Sequence, residues 1–586
     1  MTTSVKPHTA PTTSAWRRRG RTFVLVLAAT TAAKLSLTPG DRGWLVAATV
    51  TVAAAAAAVL LTRNRPGARL RRHLGADGWA GWLDRHEYRT VAGPHGVRRV
   101  TGAATSSDPR HNGQLLGRLV SGPLTLRGRP VYSPHRRGML VLGPQGSGKS
   151  SFIVNPIREF PGAAYVTSTK TELVDLTAAD RADRGPVLVF NPTGLGALAS
   201  SLRWDPVAGC DDAATADARA RALVRGGGGA TGTQNADFWA DRAAEILRCY
   251  LLAAALTGQD MAQVMAWTLH PDDRTPSATL EEYGAALPPG WLGTLDSHLA
   301  AAANTRTGYF AALTPSVAFM DSPTVAAACR PTPGPGGGHL DLTTFLHQTG
   351  TIYVVAGDDP RVAPLLTALT EAVFAAAKQA AATSPNGYLD PGLGLFLDEV
   401  ANTTPVPLDV WAADSRGWGI TVTAMVQDLA QLETRWGPTR AKTIFANLPT
   451  RVVLPGVANR DDLETLAYLG GQRRVQRSSH GRTETGTGQT SRSHNQSWTT
   501  EQVITGHTIH GLPRWHAYVL GLGTKPAIVR FTPGWRHAAS PSSSSAPLAA
   551  ATHHDQPHNR DQHPHDRTDY TSAAPPAAPD TVQDAA

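Results

Sequence analysis

The sequence predicts an α/β fold: a mainly parallel sheet with helices on both faces. Two observations carry this expectation. From about residue 138, short and wholly apolar runs alternate with longer helical stretches, and one of the runs opens directly into a glycine-rich loop. The runs are "GMLVL" (138–142), "AAYVT" (163–167), "VLVF" (187–190), "TIYVV" (351–355), "GLFL" (394–397), "ITVTAM" (420–425) and "RVVLP" (451–455), each bounded by turn residues. A strand buried on both faces has no solvent side to make polar, so it reads as a continuous apolar run.

The third and fourth runs lie about 160 residues apart, too far for one crossover connection. The interval is helical in pattern: "FWADRAAEILRCYLLAAAL" (238–256) carries Phe238, Ala243, Ile246, Leu247, Tyr250, Leu251 and Ala254 at helical spacing. It predicts an all-α domain inserted at 205–340. Within it "RGGGGATGTQ" (225–234) reads as a flexible loop, because no lysine follows to make it a second anion cradle. The expected organisation is a membrane anchor at 1–72, a cytosolic connecting region at 73–130, and a nucleotide-binding domain in three parts. Those parts are 131–204, 341–471 and 498–537, with a disordered insert at 472–497 and a disordered tail at 538–586. The insert and tail are assigned from their low apolar content and their Gly, Ser, Thr, Pro and His enrichment.

The anchor rests on two apolar stretches, 22–39 and 44–61, joined by "GDRG". The second has eighteen residues and no charge, which at about 1.5 Å per residue nearly spans a bilayer core. "WRRRGR" before the first and "RNRPGARLRR" after the second place both ends inside by the positive-inside rule. The expected location is a bacterial cell membrane, multi-pass, with the bulk of the chain cytoplasmic. The competing readings are a cleaved signal peptide and a buried soluble helix.

The formal charge of +9 is not evidence for a nucleic-acid-binding body. Residues 1–72 hold a balance of +11 and the rest of the chain −2, so the excess belongs to the N-terminus. Three scattered cysteines, Cys210, Cys249 and Cys329, form no CxxC pair; this argues against a disulfide framework or zinc site and fits a reducing compartment.

The chemistry centres on "LVLGPQGSGKSS" (140–151), which uses one of only seven lysines in the chain. Gly143, Gly148, Lys149 and Ser150 satisfy G-x-x-x-x-G-K-[ST], the P-loop pattern. The whole segment Gly143, Pro144, Gln145, Gly146, Ser147, Gly148, Lys149, Ser150 and Ser151 is the candidate phosphate cradle. Glycines let backbone N–H groups converge on phosphate oxygens, and the following helix adds its N-terminal partial charge. Lys149 would neutralise the β- and γ-phosphates of ATP, and the Ser150 hydroxyl would ligate Mg²⁺. A second element is expected because phosphoryl transfer needs an acid near the metal and a group to orient water. "GLGLFLDEVAN" (392–402) supplies an apolar strand ending in Asp398, for Mg²⁺, and Glu399, for the attacking water.

With these motifs stands "TKTELVDLTA" (169–178), "FNPTG" (190–194), "RWDPV" (203–207), "DFWADRAAEIL" (237–247) and "DSRGWGITVTAMVQDLAQLETRWG" (414–437). Together they resemble the type IV coupling proteins of bacterial conjugation and secretion, the TraG/TraD group, over about residues 20–535. The resemblance implies a RecA-like ATPase working as a homo-hexamer with nucleotide between subunits. Its implied partners are single-stranded DNA with its relaxase, and components of a secretion channel. It also implies that Gln427 senses the γ-phosphate and that Arg416 reaches the neighbouring subunit's site as an arginine finger. Where the family often carries an acidic residue before the lysine of the second strand, this chain reads Ser168-Thr169-Lys170. Two other readings use the same nucleotide chemistry: a cargo-docking receptor for effector secretion, and a double-stranded DNA translocase of the FtsK/HerA type.

Overall fold

The computed structural model describes residues 80–536, apart from 102–105, 229–234, 285–286, 331–339, 358 and 485–489, with 477–484 and 490–495 described by backbone alone. The expected membrane spans at 22–39 and 44–61 and the tail at 538–586 lie outside the described residues. Among the described residues no helix is long and apolar enough to cross a membrane.

The strands in chain order are β1 (Gly113–Leu119), β2 (Pro130–Pro134), β3 (Met139–Leu142), β4 (Ala164–Ser168), β5 (Val187–Phe190), β6 (Thr351–Val355), β7 (Leu393–Leu397), β8 (Ile420–Val426), β9 (Thr450–Val453), β10 (Gln472–Glu484), β11 (Thr490–Gln502), β12 (His516–Leu520) and β13 (Ala527–Arg530). Eleven of them form one sheet in the order β2-β1-β13-β12-β9-β3-β8-β7-β4-β6-β5. From β9 to β5 every neighbouring pair is parallel. These strands are the seven apolar runs read from the sequence. Their uniform apolarity follows from burial on both sides: Leu140 and Leu142 of β3 enter one core, Met139 and Val141 the other.

The remaining four strands form an antiparallel flank beyond β9. Two of them, β1 and β2, fall at or before the expected start of the nucleotide-binding domain. Part of the 73–130 connecting region is therefore sheet, with Leu116 and Leu119 buried in the core.

Helices α1 (Lys149–Glu159) and α2 (Glu172–Ala182) follow β3 and β4. Arg181 of α2, fully buried, fastens that helix to the sheet. It donates to Thr351 Oγ1 at 2.7 Å, Phe160 O at 2.6 Å and Gly162 O at 2.7 Å. Between β5 and β6 every described element is helical, led by α3 (Ala213–Gly227) and α4 (Ala236–Leu256). These helices share one core with a face of the sheet and pack on α5 (Ala363–Thr383). At the α3–α5 crossing, a Cβ on Gly226 would lie 2.4 Å from Pro364 Cα. Arg225, Gly226 and Gly227, expected in a loop, are the last turn of α3, and Arg225 pairs there with Glu371 of α5. Burial of the small-residue face and that ion pair override the low helix propensity of glycine.

The segment expected to be disordered at 472–497 forms instead an antiparallel ribbon, β10 with β11, registered from Gln472 opposite Gln502 to Glu484 opposite Thr490. Low apolar content rules out a packed core, but a ladder satisfies backbone N–H and C=O groups without one. Thr, Ser, Gln and Arg are all tolerated in such a ladder.

Candidate nucleotide site

Three parallel strands in the order β3-β8-β7 end at the same edge of the sheet, about 4.8 Å apart. Leu142 is level with Val426, and Leu397 with Ala424. The residues just past these tips are Gly143, Gln427 and Asp398, so sheet order alone brings the lysine loop, the glutamine and the acid pair to one place. β4, next to β7, adds Ser168, Thr169 and Lys170 at the same edge. Lys149, Gln427, Asp398, Glu399, Ser168, Thr169 and Lys170 line one cavity of about 450 Å³.

The loop after β3 is held by Gly143 N donating to Val426 O at 3.2 Å and Ser147 N to Pro144 O at 3.2 Å. Gly143 is required by space: a Cβ there would meet Ser147 Oγ at 2.5 Å and Leu454 Cβ at 2.9 Å. Gly148, at φ +103°, makes the left-handed turn that starts α1 at Lys149. The first-turn N–H groups of α1 therefore open towards the cavity, without carbonyl partners of their own helix. Lys149 is buried; its Nζ donates to Gly143 O at 2.7 Å and Pro144 O at 3.3 Å. Burial lowers the lysine pKa, and the nearby Asp398 and Glu399 oppose that shift.

Asp398 is 6% exposed and its Oδ1 has no hydrogen-bond partner. Burial, reinforced by the neighbouring Glu399 and opposed by Lys149, pushes its pKa up to about 6. Glu399 sits at φ +49°, turning the chain sharply off the strand into a short helix at Val400–Thr403, whose Thr403 Oγ1 donates back to Asp398 O at 3.0 Å. Such a left-handed conformation at a non-glycine residue is a strain found where side chains are aimed for function. Ser147 Oγ is also buried without a partner.

An orphaned carboxylate oxygen near a lysine, with Ser150 lining the same cavity, supplies hard oxygen atoms that suit a magnesium ion sharing its remaining positions with phosphate and water. Among the described residues no group of three His, Cys, Asp or Glu side chains could hold a metal by itself. The residues present therefore fit a cation brought with a polyphosphate.

Gln427 lines the cavity directly past β8, and its backbone N donates to Gln431 Oε1 at 2.9 Å. Lys170 is exposed and also lines it. Arg416 is not brought into this site. It lies exposed in the turn Ser415–Trp418 before β8, at the opposite end of a seven-residue strand, roughly 20 Å away.

Arg514, Trp515 and Trp535 complete the cavity lining. Sequence reasoning missed them, since they come from the antiparallel flank and carry no local motif. A larger cavity, about 880 Å³, lies away from these motifs between α3, α4 and residues 405–440. Its arginines are already engaged: Arg221 with Asp241 at 3.6 Å, Arg225 with Glu371, and Arg440 with Asp409 at 3.9 Å.

Residues 392–514 match the family model described as the TraM recognition site of TraD and TraG. That segment runs from β7 through the acid pair, Arg416 and Gln427 to Arg514. No curated protein matches the chain. Among solved structures, the unbound bacterial conjugative coupling protein TrwBΔN70 is similar at 20% identity, over 70% of this chain and 89% of that one, with a TM-score of 0.51. A second crystal form of it, with sulphate, matches at 20% identity over 69% and 88%, with a TM-score of 0.50. At this identity the likeness is one of fold. Residues 392–514 are thus similar to a segment of TraD and TraG, and the chain's fold is similar to that of a conjugative coupling protein.

Proposed function

We propose that the protein is a membrane-anchored, ATP-hydrolysing coupling protein that recruits single-stranded DNA with its relaxase and drives it towards a conjugative secretion channel. One observation carries the enzymatic part: Lys149 and the Asp398–Glu399 pair, some 250 residues apart, line the same cavity at neighbouring parallel strand tips. The family model for 392–514 is named for recognition of TraM, which supports a partner-docking role for that part of the chain.

In this reading the glycine loop and the first turn of α1 bind the phosphates through backbone N–H groups. Lys149 leaves the carbonyls of Gly143 and Pro144 for the β- and γ-phosphate oxygens. Ser150 and Asp398 would hold Mg²⁺, which when bound neutralises charge on the phosphates. Glu399 accepts the proton of the attacking water, and Gln427, at the strand tip between loop and acid pair, hydrogen-bonds the transferring phosphoryl group. Arg416, exposed and far from its own subunit's cavity, serves a neighbouring subunit in a homo-hexameric ring. The stretches at 22–39 and 44–61 anchor the chain in the membrane.

The test is DNA-stimulated phosphate release by the purified full chain, compared with Lys149→Ala and Glu399→Gln. Loss of turnover in both with the fold retained is expected; full turnover in Lys149→Ala would remove this site from the mechanism.

A further inference from the structure

We propose that Trp515 and Trp535, with Arg514, form the nucleobase subsite of this cavity: a stacking wall that takes a purine by its face and does not read its edge. The inference rests on the triphosphate reading of the P-loop and adds to it the recognition of the other end of the ligand.

Topology puts the wall where a base would lie. The strand β12 runs antiparallel to β9, which is parallel to β3, so the start of β12 lies at the P-loop edge of the sheet. Trp515 immediately precedes β12. The strand β13 is antiparallel to β12 in turn, so its end returns to the same edge, and Trp535 follows it in the turn Gly534–Arg536. The flank carrying both tryptophans lies on the side of β3 away from β7. The acid pair and Trp515 therefore stand two strands to either side of the phosphate loop, roughly 10 Å each way. A nucleotide with its phosphates on the loop and its γ-phosphate towards Asp398 and Glu399 has its base on the tryptophan side.

The wall is continuous with the phosphate cradle and stiff. A Cβ on Gly148 would meet Trp515 Cζ3 at 3.2 Å, so the indole lies directly against the glycine that opens α1. Trp515 stands edge-to-face with Phe531 at 5.8 Å, and Phe531 with Phe152 of α1 at 5.4 Å. Trp515 and Trp535 meet at 5.0 Å with their planes 80° apart, making a corner of two indoles. The guanidinium of Arg514 lies over the Trp515 ring, 4.5 Å from its centroid. Trp515 is held at φ +66°, a conformation that bulky residues rarely adopt. Trp535 remains 47% exposed although it lines the cavity. Fixed indoles at a cavity mouth, one still partly bare, offer a base a flat apolar face, and stacking of this kind tolerates any base with a large π surface.

The test is calorimetric titration of the full chain, in magnesium buffer, with ATP, GTP, CTP and inorganic tripolyphosphate. Trp535→Ala is expected to weaken ATP and GTP about ten- to hundredfold and to leave tripolyphosphate unchanged. Trp535→Phe should restore most of the loss. ATP and GTP should bind within a few-fold of each other and CTP more weakly. Trp535 is the variant of choice because it is half exposed, whereas Trp515 packs against the loop. Equal loss of ATP and tripolyphosphate in Trp535→Ala, no loss of either, or a strong preference between ATP and GTP would overturn the wall. Lys149→Ala reads the underlying site separately: it should weaken all four ligands, and unchanged binding there would overturn the triphosphate reading itself.

Discussion

Removing the charge of Asp398 should stabilise the nucleotide-free protein while abolishing its chemistry. The carboxyl is 6% exposed, its Oδ1 has no partner, and its pKa is pushed up to about 6. That is about two units above the usual aspartate value, and each unit corresponds to about 1.4 kcal/mol, so the ionised group costs the fold up to ~3 kcal/mol. The sign follows from linkage. The folded state holds the proton more tightly than the unfolded chain, so the favourable contribution of the neutral carboxyl is complete below the unfolded value. It is lost as pH rises through about 6. Asp398→Asn removes that dependence. Its amide introduces a donor that itself needs a partner, which offsets part of the gain by about 1–3 kcal/mol. The slope with pH is therefore the decisive reading rather than the absolute difference. Chemical denaturation of the full chain and Asp398→Asn, without nucleotide, from about pH 4.5 to 8 should show the variant gaining relative stability through pH 6. Magnesium nucleotide should narrow the gap by stabilising only the native carboxylate. A stability difference that stays flat across this range would refute the reasoning.

Other outcomes follow from the same geometry. Lys149→Ala should lower ATP turnover at least ~100-fold, since it removes a buried cation close to the acid pair; phosphate release checks it. Arg416→Ala should lower turnover ~1,000-fold or more, and mixing it with Lys149→Ala chains should restore part of the activity, because each supplies what the other lacks; mixtures no more active than their parts would rule out a trans arginine. Arg181→Ala should cost ~3 kcal/mol in denaturant unfolding, because it strands the buried oxygens of Thr351, Phe160 and Gly162, while Arg181→Lys recovers only part. Gly148→Ala should cost ~1–3 kcal/mol and weaken nucleotide binding, since φ +103° strains any side chain and its methyl group would press on the Trp515 ring at 3.2 Å.

The parallel half of the sheet was legible in the amino-acid pattern, and so were the loop and the acid pair that lie at its edge. The strands β3 to β9 were legible because burial on two faces leaves no polar positions to interrupt the apolar run. The glycine-rich loop after β3 was legible because its pattern is local: glycines, lysine and serine follow one another within a few residues. Asp398 and Glu399 were legible only as the end of an apolar strand, given that a phosphate loop already called for an acid.

Long-range packing set the rest. Strand order set which tips are neighbours, and that order rests on packing between residues hundreds of positions apart. The antiparallel flank was partly hidden because strands such as β1 include glycine and an exposed arginine. The pairing of 472–484 with 490–502 leaves little trace in the sequence, because a ladder of paired backbone groups needs no apolar signature. Trp515 and Trp535 had no motif at all. Only the reversal of chain direction from β12 to β13 returns both to the edge where the loop from β3 waits, a consequence of antiparallel pairing that no local pattern encodes.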